Sequence, residues 1–357
     1  MAKNGTLQDL SLEGALLMIL ALACMLLVLL FILPFVPGTR ELFMKQDASP
    51  LFINIDYSRD HRYFAFSFRK LFLDSLEGPA EATEGFRDLM LSKREKVQII
   101  GNARFARGAV LEHVLYITHD LVSENNVIFN KEAYVRGTVH IGEDNRLQAL
   151  ACDGDIHILK GARFFRWLDA EGDIKAEEQC ALGVYATCGG VLFAARACSF
   201  MRLYGFPVTT DTNSGTALEE DQPDSVIAAV FESQSIERNL SNIPAQSRKN
   251  CSVISRDSLT IGDHSVIRGH VKTHKSLVIG ANVIITGNIF AEGDIEVGPQ
   301  SRVLGTVFSQ KRILLKQGVR VGARDRIKSV IGKRSITLEG GVRVYGYVMT
   351  EGKGLVV

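Results

Sequence analysis

What this chain lacks narrows its function before any motif is read. Charge of one sign is missing: 41 Lys and Arg against 40 Asp and Glu leave a net +1 over 357 residues. No global field therefore draws it onto nucleic acid, and that partner class is not expected. Its six cysteines include no C-x-x-C pair, and one of them, Cys24, lies in an apolar run. They read as buried reduced thiols rather than a disulfide framework. His113, His119, His140 and His157 are scattered singly without H-x-x-x-H or H-E-x-x-H spacing, so no metal site is expected. A phosphate-binding G-x-x-x-x-G-K-[ST] loop and a Rossmann fingerprint are both absent, which leaves no cofactor and no nucleotide to predict. Proline is scarce, at 8, whereas glycine reaches 32. That balance suits many tight corners, each using glycine's access to positive φ.

The charged residues also leave one long gap. Residues 15–36 carry no charge, and at about 1.5 Å per residue this run makes roughly 33 Å of helix, enough to cross a hydrocarbon core. Pro34, Pro37 and Gly38 close it. A cleaved secretory signal is the competing reading, but the segment before the run holds only Lys3 with Asp9 and Glu13, and no A-x-A site succeeds it. The chain is therefore expected to be single-pass. Arg40, Lys45, Arg59, Arg62, Arg69 and Lys70 after the run, against Lys3 before it, place the C-terminal body on the cytoplasmic face of the inner membrane. Beyond the anchor, Phe64, Phe68, Leu71, Phe72 and Leu76 recur at helical spacing after Ser58 and Asp60. This predicts an amphipathic helix, either lying on the membrane or covering the open end of the adjoining repeat domain. A second helical stretch is expected near residues 84–93.

From Ser258 the chain can be written in lines of 18: SLTIGDHSVIRGHVKTHK, SLVIGANVIITGNIFAEG, DIEVGPQSRVLGTVFSQK and RILLKQGVRVGARDRIKS. Leu259, Leu277, Ile295 and Ile313 form one column, and Ile261, Ile279, Val297 and Leu315 a second. Ile267, Ile285, Val303 and Val321 form a third, and Gly269, Gly287 and Gly305 a fourth, continued by Ala323. Val271, Ile289 and Val307 make a fifth, broken at Asp325. Apolar residues alternate in short bursts between Gly, Asp, Asn and Lys, the pattern of very short strands joined by sharp corners. Each line is one coil of a β-helix, and its three hexads make the coil triangular. One coil cannot bury its inward side chains alone, so stability accumulates by stacking. The aliphatic columns are the expected core and the glycine column the expected corners. Ile336, Leu338, Val344 and Val348 repeat the columns after 23 residues, which predicts a five-residue bulge near residues 324–334.

A weaker copy lies upstream. Gly154-Asp155-Ile156 and Gly172-Asp173-Ile174 stand 18 apart and resemble Gly293-Asp294-Ile295, and Val127, Phe129, Val135 and Val139 share the alternation. The expected order is a tail at 1–14, a transmembrane helix at 15–36, a helical juxtamembrane region at 37–95, a first solenoid block at 96–209, a linker at 210–249 and a second block at 250–357. The linker is rich in Ser, Asn, Asp and Glu, although residues 226–231 are apolar enough to dock on a solenoid face. The fold class expected is mainly β, a single-stranded solenoid in two blocks.

The 18-residue lines, with aliphatic-x-aliphatic-Gly starts and x-Gly-x-aliphatic middles, resemble the bactofilins, a bacterial polymer-forming family. The resemblance covers about the last 100 residues well and the first block loosely. It implies a triangular β-helix whose ends stack on other copies into filaments without nucleotide, associated with the membrane and scaffolding envelope proteins. This chain departs from that plan in its anchor, its juxtamembrane region and its second block, and a helix over the first coil would close one end.

The enzymatic rival comes from the hexads, which also suit trimeric acyltransferases with a catalytic His near a subunit interface. His264, His270 and His274 fall in the right region, but no looped-out segment carries them, and they read as outward or corner residues. No catalytic residue is expected. Cys188-Gly189-Gly190 reads as a small buried residue at a corner rather than a nucleophile. Lys311, Arg312, Lys316, Arg320, Arg324, Arg326, Lys328, Lys333, Arg334 and Arg343 form the densest local charge. They could align as an anion-attracting stripe, or simply make a solvated face.

Overall fold

Among the described residues the alternation of apolar and polar side chains produces 35 strands of two to fourteen residues, hydrogen-bonded into one continuous sheet. In the computed structural model, which describes residues 5–36, 61–75, 87–90, 96–210 and 235–357, this sheet winds into a β-solenoid of about 13 turns with about 18 residues per turn. The chain divides into two units, Met1–Asp56 and Tyr57–Val357.

In the first unit a helix runs from Gly5 to Ile32 and ends in a tighter turn, Leu33–Phe35. Every side chain described from Met18 to Leu33 is exposed. Among the described residues no helix is long and apolar enough to cross a membrane. The side chains of residues 15–17, which begin the uncharged run, lie outside the described set.

In the second unit all strand pairings but two are parallel, each joining a strand to the one a coil on. Leu259 faces Leu277, which faces Ile295, Ile313 and then Ile336; Ile267 leads through Ile285 and Val303 to Val321 and Val344. Leu259, Ile261, Ile267, Leu277, Ile279, Ile285, Ile295, Val297, Val303, Ile313, Leu315 and Val321 are all buried. The first block is less regular. Ile156 pairs with Ile174 at 18 residues but with Val139 at 17.

The corners are not made as the glycine content suggested. Positive φ falls mostly on other residues, in one column through Gln246, His264, Asn282 and Gln300, with Gly318 next at φ 70°. Gly269, Gly287 and Gly305 do not take that conformation. They are needed for close approach: a Cβ on Gly287 would collide with the carbonyl of Gly269, and one on Gly305 with that of Gly287. The Gly-Asp-Ile signature has its own cause. The Asp155 carboxylate accepts the Asp173 amide at 2.7 Å, and Asp173 accepts that of Val191 at 2.7 Å, so each Asp caps a corner one coil on.

Two further expectations change, one falls outside the described residues and one is placed more closely. The stretch near residues 84–93 contains a strand, Arg87–Met90, antiparallel to Lys96–Ile100, because the first coil offers it an edge to pair with. The second solenoid block resumes at Ile236, inside the expected linker, because Ile236–Arg238 already finds a parallel partner in Ser252–Ser255. The apolar segment 226–231 lies outside the described residues. The five extra residues fall between Val321 and Val330, where Gly322 at φ 78° opens a loop closed by paired hydrogen bonds between Ala323 and Arg326.

The largest difference is in how the blocks meet. The last strand of the first block, Ser199–Thr209, pairs antiparallel with the last strand of the chain, Arg343–Val356, from Ser199 with Leu355 to Thr209 with Arg343. The two blocks join tail to tail. Leu203 and Val348 face each other fully buried, so the core runs through the junction. Thr210 locks the corner, its amide donating to Val342 O at 3.0 Å and its hydroxyl to Glu339 O at 2.6 Å.

Candidate functional site

Two places gather side chains with something to do: the flank of the first block and the ends of the coils. On the flank, alternation points every second residue outward, and strand register then stacks those residues in columns. Tyr116 faces Tyr134, and Trp167 faces Tyr185, each pair in register on neighbouring coils. Outward aromatics in register make an apolar track. The amphipathic helix Tyr63–Ser75 lies along it because its phenylalanines match the track, and Phe72 also packs with Val97 and Ile99 on the flank of the first coil. Phe68 meets Trp167 edge-on at 5.3 Å, Phe72 stacks on Tyr116 at 5.4 Å, and Phe64 reaches Tyr185 at 5.6 Å. Just before the helix, His61 stacks on Tyr347 at 4.1 Å and lies 5.2 Å from Tyr204, so this arm reaches both blocks.

Charge fixes the helix in place. Asp169, 1 % exposed, accepts Arg62 Nε and Nη2 at 2.8 Å each, Arg69 Nη1 at 2.5 Å and the Thr187 hydroxyl at 2.6 Å. Arg69 also donates to Asp153 at 2.9 Å and to Cys152 O at 2.6 Å, while the Tyr134 hydroxyl donates to Asp153 at 2.7 Å. Burial alone would lower both guanidinium pKa values, yet the hydrogen bonds and field of Asp169 carry them above their ordinary value. Burial, with Asp153 beside it, likewise raises Tyr134. Each charge in this clamp has a partner, which is the condition for burying it. Sequence reasoning found the helix but missed its seat. The signal was present in outward aromatics 18 residues apart.

The histidines of the acyltransferase reading are not brought together around a cleft. His264 and His270 are exposed, the Asn288 amide donating to His270 Nδ1 at 2.9 Å, and His274 pairs with Glu292 at 2.8 Å. Cys188 is buried and donates to Gly190 O, and burial pushes its thiol up to about 12, as it does that of Cys152. Five cysteines are buried and all six are free. Among the described residues no cluster could hold a metal ion. A shallow depression of about 290 Å³ lined by Asn126, Asp144, Arg146 and Arg163 opens on the first block, without a convergent set of reactive groups. No family model, no curated protein and no solved structure matches the chain.

The basic residues near the end are partly neutralised. Arg312 pairs with Asp294 at 2.9 Å, and Lys316 contacts Glu296 at 2.5 Å. Arg302, Arg320 and Arg343 do align in register, and each has a partner of its own.

The coil ends differ in chemistry. At the start of the second block, Glu237 stands over Val253 and Lys249 over Ile267, so two charges occupy positions that are aliphatic in the next coil. They pair at 2.6 Å. At the start of the first block the same kind of position holds Ile100, Ala103, Phe105 and Leu111, in register with Ile117, Leu121, Ser123 and Phe129.

Proposed function

We propose that this protein is a membrane-anchored scaffold, of the bactofilin kind, that organises other proteins of the bacterial envelope from the cytoplasmic face of the inner membrane. The observation that carries this reading is the continuous stack. About 13 turns share one sheet and one core, so the body is a rod whose outward residues recur at the strand spacing of about 4.8 Å. A rod of that kind presents repeated surface, which suits holding partners in register.

Anchoring is supported by the uncharged run 15–36 and by the exposure of its described side chains, among them Leu20 at 63 % and Leu30 at 72 %. Such a surface calls for an apolar surrounding. The flank helix keeps Phe66 and Leu71 exposed beside Lys70, in keeping with a position near lipid headgroups. The test is fractionation of cells making the full chain or a chain lacking residues 1–36. The full chain is expected in the membrane pellet after carbonate washing, and the shortened one in the supernatant. A full chain recovered wholly in the supernatant would end the anchoring reading.

A further inference from the structure

One flank of the solenoid seats a helix along its first-block half and continues, in register, into the second block. In the first block the helix Tyr63–Ser75 meets outward aromatics over five strands, from Tyr116 at Phe72 to Tyr185 at Phe64. Its 13 residues make about 20 Å of helix. Beyond Tyr185 the outward column passes through Arg202 at the tail junction to Met349, Ile331, Phe308, Phe290 and Lys272, again on five strands. At the strand spacing of about 4.8 Å these cover about 19 Å. The two halves are of equal length.

They are opposite in charge. In the first block the carboxylates of Asp153 and Asp169 hold Arg62 and Arg69. In the second block the strip is apolar at its centre and basic at its head end. Phe290 and Phe308 stack within 2° of parallel and meet no other ring among the described residues. Ile331 and Met349 extend the strip, both half-buried, and Ile327, just before the strand of Ile331, is 56 % exposed. Lys272 is exposed, its Nζ 5.4 Å from the centre of the Phe290 ring, and has no carboxylate partner among the described residues. Beside the strip His270, Asn288 and Thr306 bond to one another coil to coil, and Glu292 is taken by His274.

We propose that the second-block half of this flank is the seat of an amphipathic helix from a partner protein, with apolar residues three and four apart against Phe290 and Phe308 and an acidic residue against Lys272. This rests on the scaffold reading and gives its partner a chemistry. Continuity carries the argument, since outward positions of the same flank already hold a helix by its phenylalanines one block away. Helices docked in this way are read through anchors at i, i+3, i+4 and i+7. Charge selects the occupant. The chain's own helix carries Arg69 and Lys70 and finds its carboxylates on the first block, whereas on the second it would meet Lys272 without a counter-charge. An acidic helix would find in Lys272 what Arg69 finds in Asp169.

The test is photocrosslinking in cells making the full chain with p-benzoyl-phenylalanine in place of Phe308, or in place of Val278, an exposed residue on the adjoining side, as the control. The expected result is a protein adduct from the Phe308 position and none from Val278. Mass spectrometry should map it to a segment with apolar residues three and four apart and an acidic residue within a turn of them. Adding Lys272→Glu should lower its yield about tenfold or more, and Lys272→Arg should keep it. Thermal unfolding of each variant identifies one that has simply failed to fold, and the same replacement at Phe290 gives an independent reading. An adduct to a second copy, to lipid or to the chain's own residues would overturn the proposal, as would a partner adduct indifferent to Lys272→Glu. A partner adduct at Val278 alone would end this seat and leave the scaffold reading standing. No protein adduct at any of these positions would count against both.

Discussion

The two solenoid blocks share one inward pattern and differ in what they show to the outside. Both stack aliphatic columns at about 18 residues per coil, and their cores merge at the tail junction. One outward column runs in register from Trp167 and Tyr185 through Arg202, crosses to Met349, and continues through Ile331, Phe308, Phe290 and Lys272. In the first block this face, with Asp169 next to its aromatics, is covered by the helix Tyr63–Ser75. In the second, Phe290 and Phe308 stack at 5.3 Å with Lys272 over Phe290, and no acidic residue stands in that column. The inward residues make the coil. The outward residues decide what settles on it.

The sharpest way to break this comparison is to destroy one block. Ile285→Asp puts an unpaired charge into a fully buried column of the second block, at a cost of several kcal/mol, about 4 or more. Hydrogen exchange should then lose protection across the second block, while the first keeps protection under its helix. Equal loss in both blocks would mean that the junction makes them one cooperative unit.

Next in size is the clamp. Asp169→Ala leaves Arg62 and Arg69 without their shared carboxylate and should cost about 3–5 kcal/mol. The helix Tyr63–Ser75 should exchange freely, with the second block unchanged. A protected helix in this variant would show that the aromatic contacts alone hold it.

Smaller effects separate the two uses of the corners. Gly287→Ala must push a Cβ against the Gly269 carbonyl, and a loss of about 1–3 kcal/mol is expected in thermal unfolding. Asn282→Gly, at φ 54°, relieves a left-handed side chain but frees the unfolded chain, so its net effect should stay within about 1 kcal/mol. If Asn282→Gly proved the costlier change, the assignment of close approach to one column and positive φ to the other would be reversed.

Much of the fold was legible because a β-solenoid is written locally. Alternation within a strand decides inward from outward, and a repeat of 18 brings like residues into register without reference to anything distant. The glycine column was visible, but its reason was not. Composition suggests positive φ, and only packed coils reveal that the carbonyl of one corner sits where the next Cβ would be. The second block's start at Ile236 was hidden because charged residues, Glu237 and Lys249, replace the aliphatic signal in its first coil.

The candidate surfaces were less legible because they depend on residues far apart in sequence. Arg62 and Asp169 are separated by 107 residues, and neither has a neighbour that announces the other. The tail junction is more remote still, since nothing in Ser199–Thr209 names Arg343–Val356 as its partner. By itself, then, the sequence determined the coil, its length and its core, because each arises from short-range periodicity and the burial of aliphatic side chains. The tertiary structure alone decided that the blocks meet tail to tail, that a helix fills the aromatic flank, and that the two heads differ. Those outcomes turn on which edges, charges and apolar faces remain unmatched once the coils have formed.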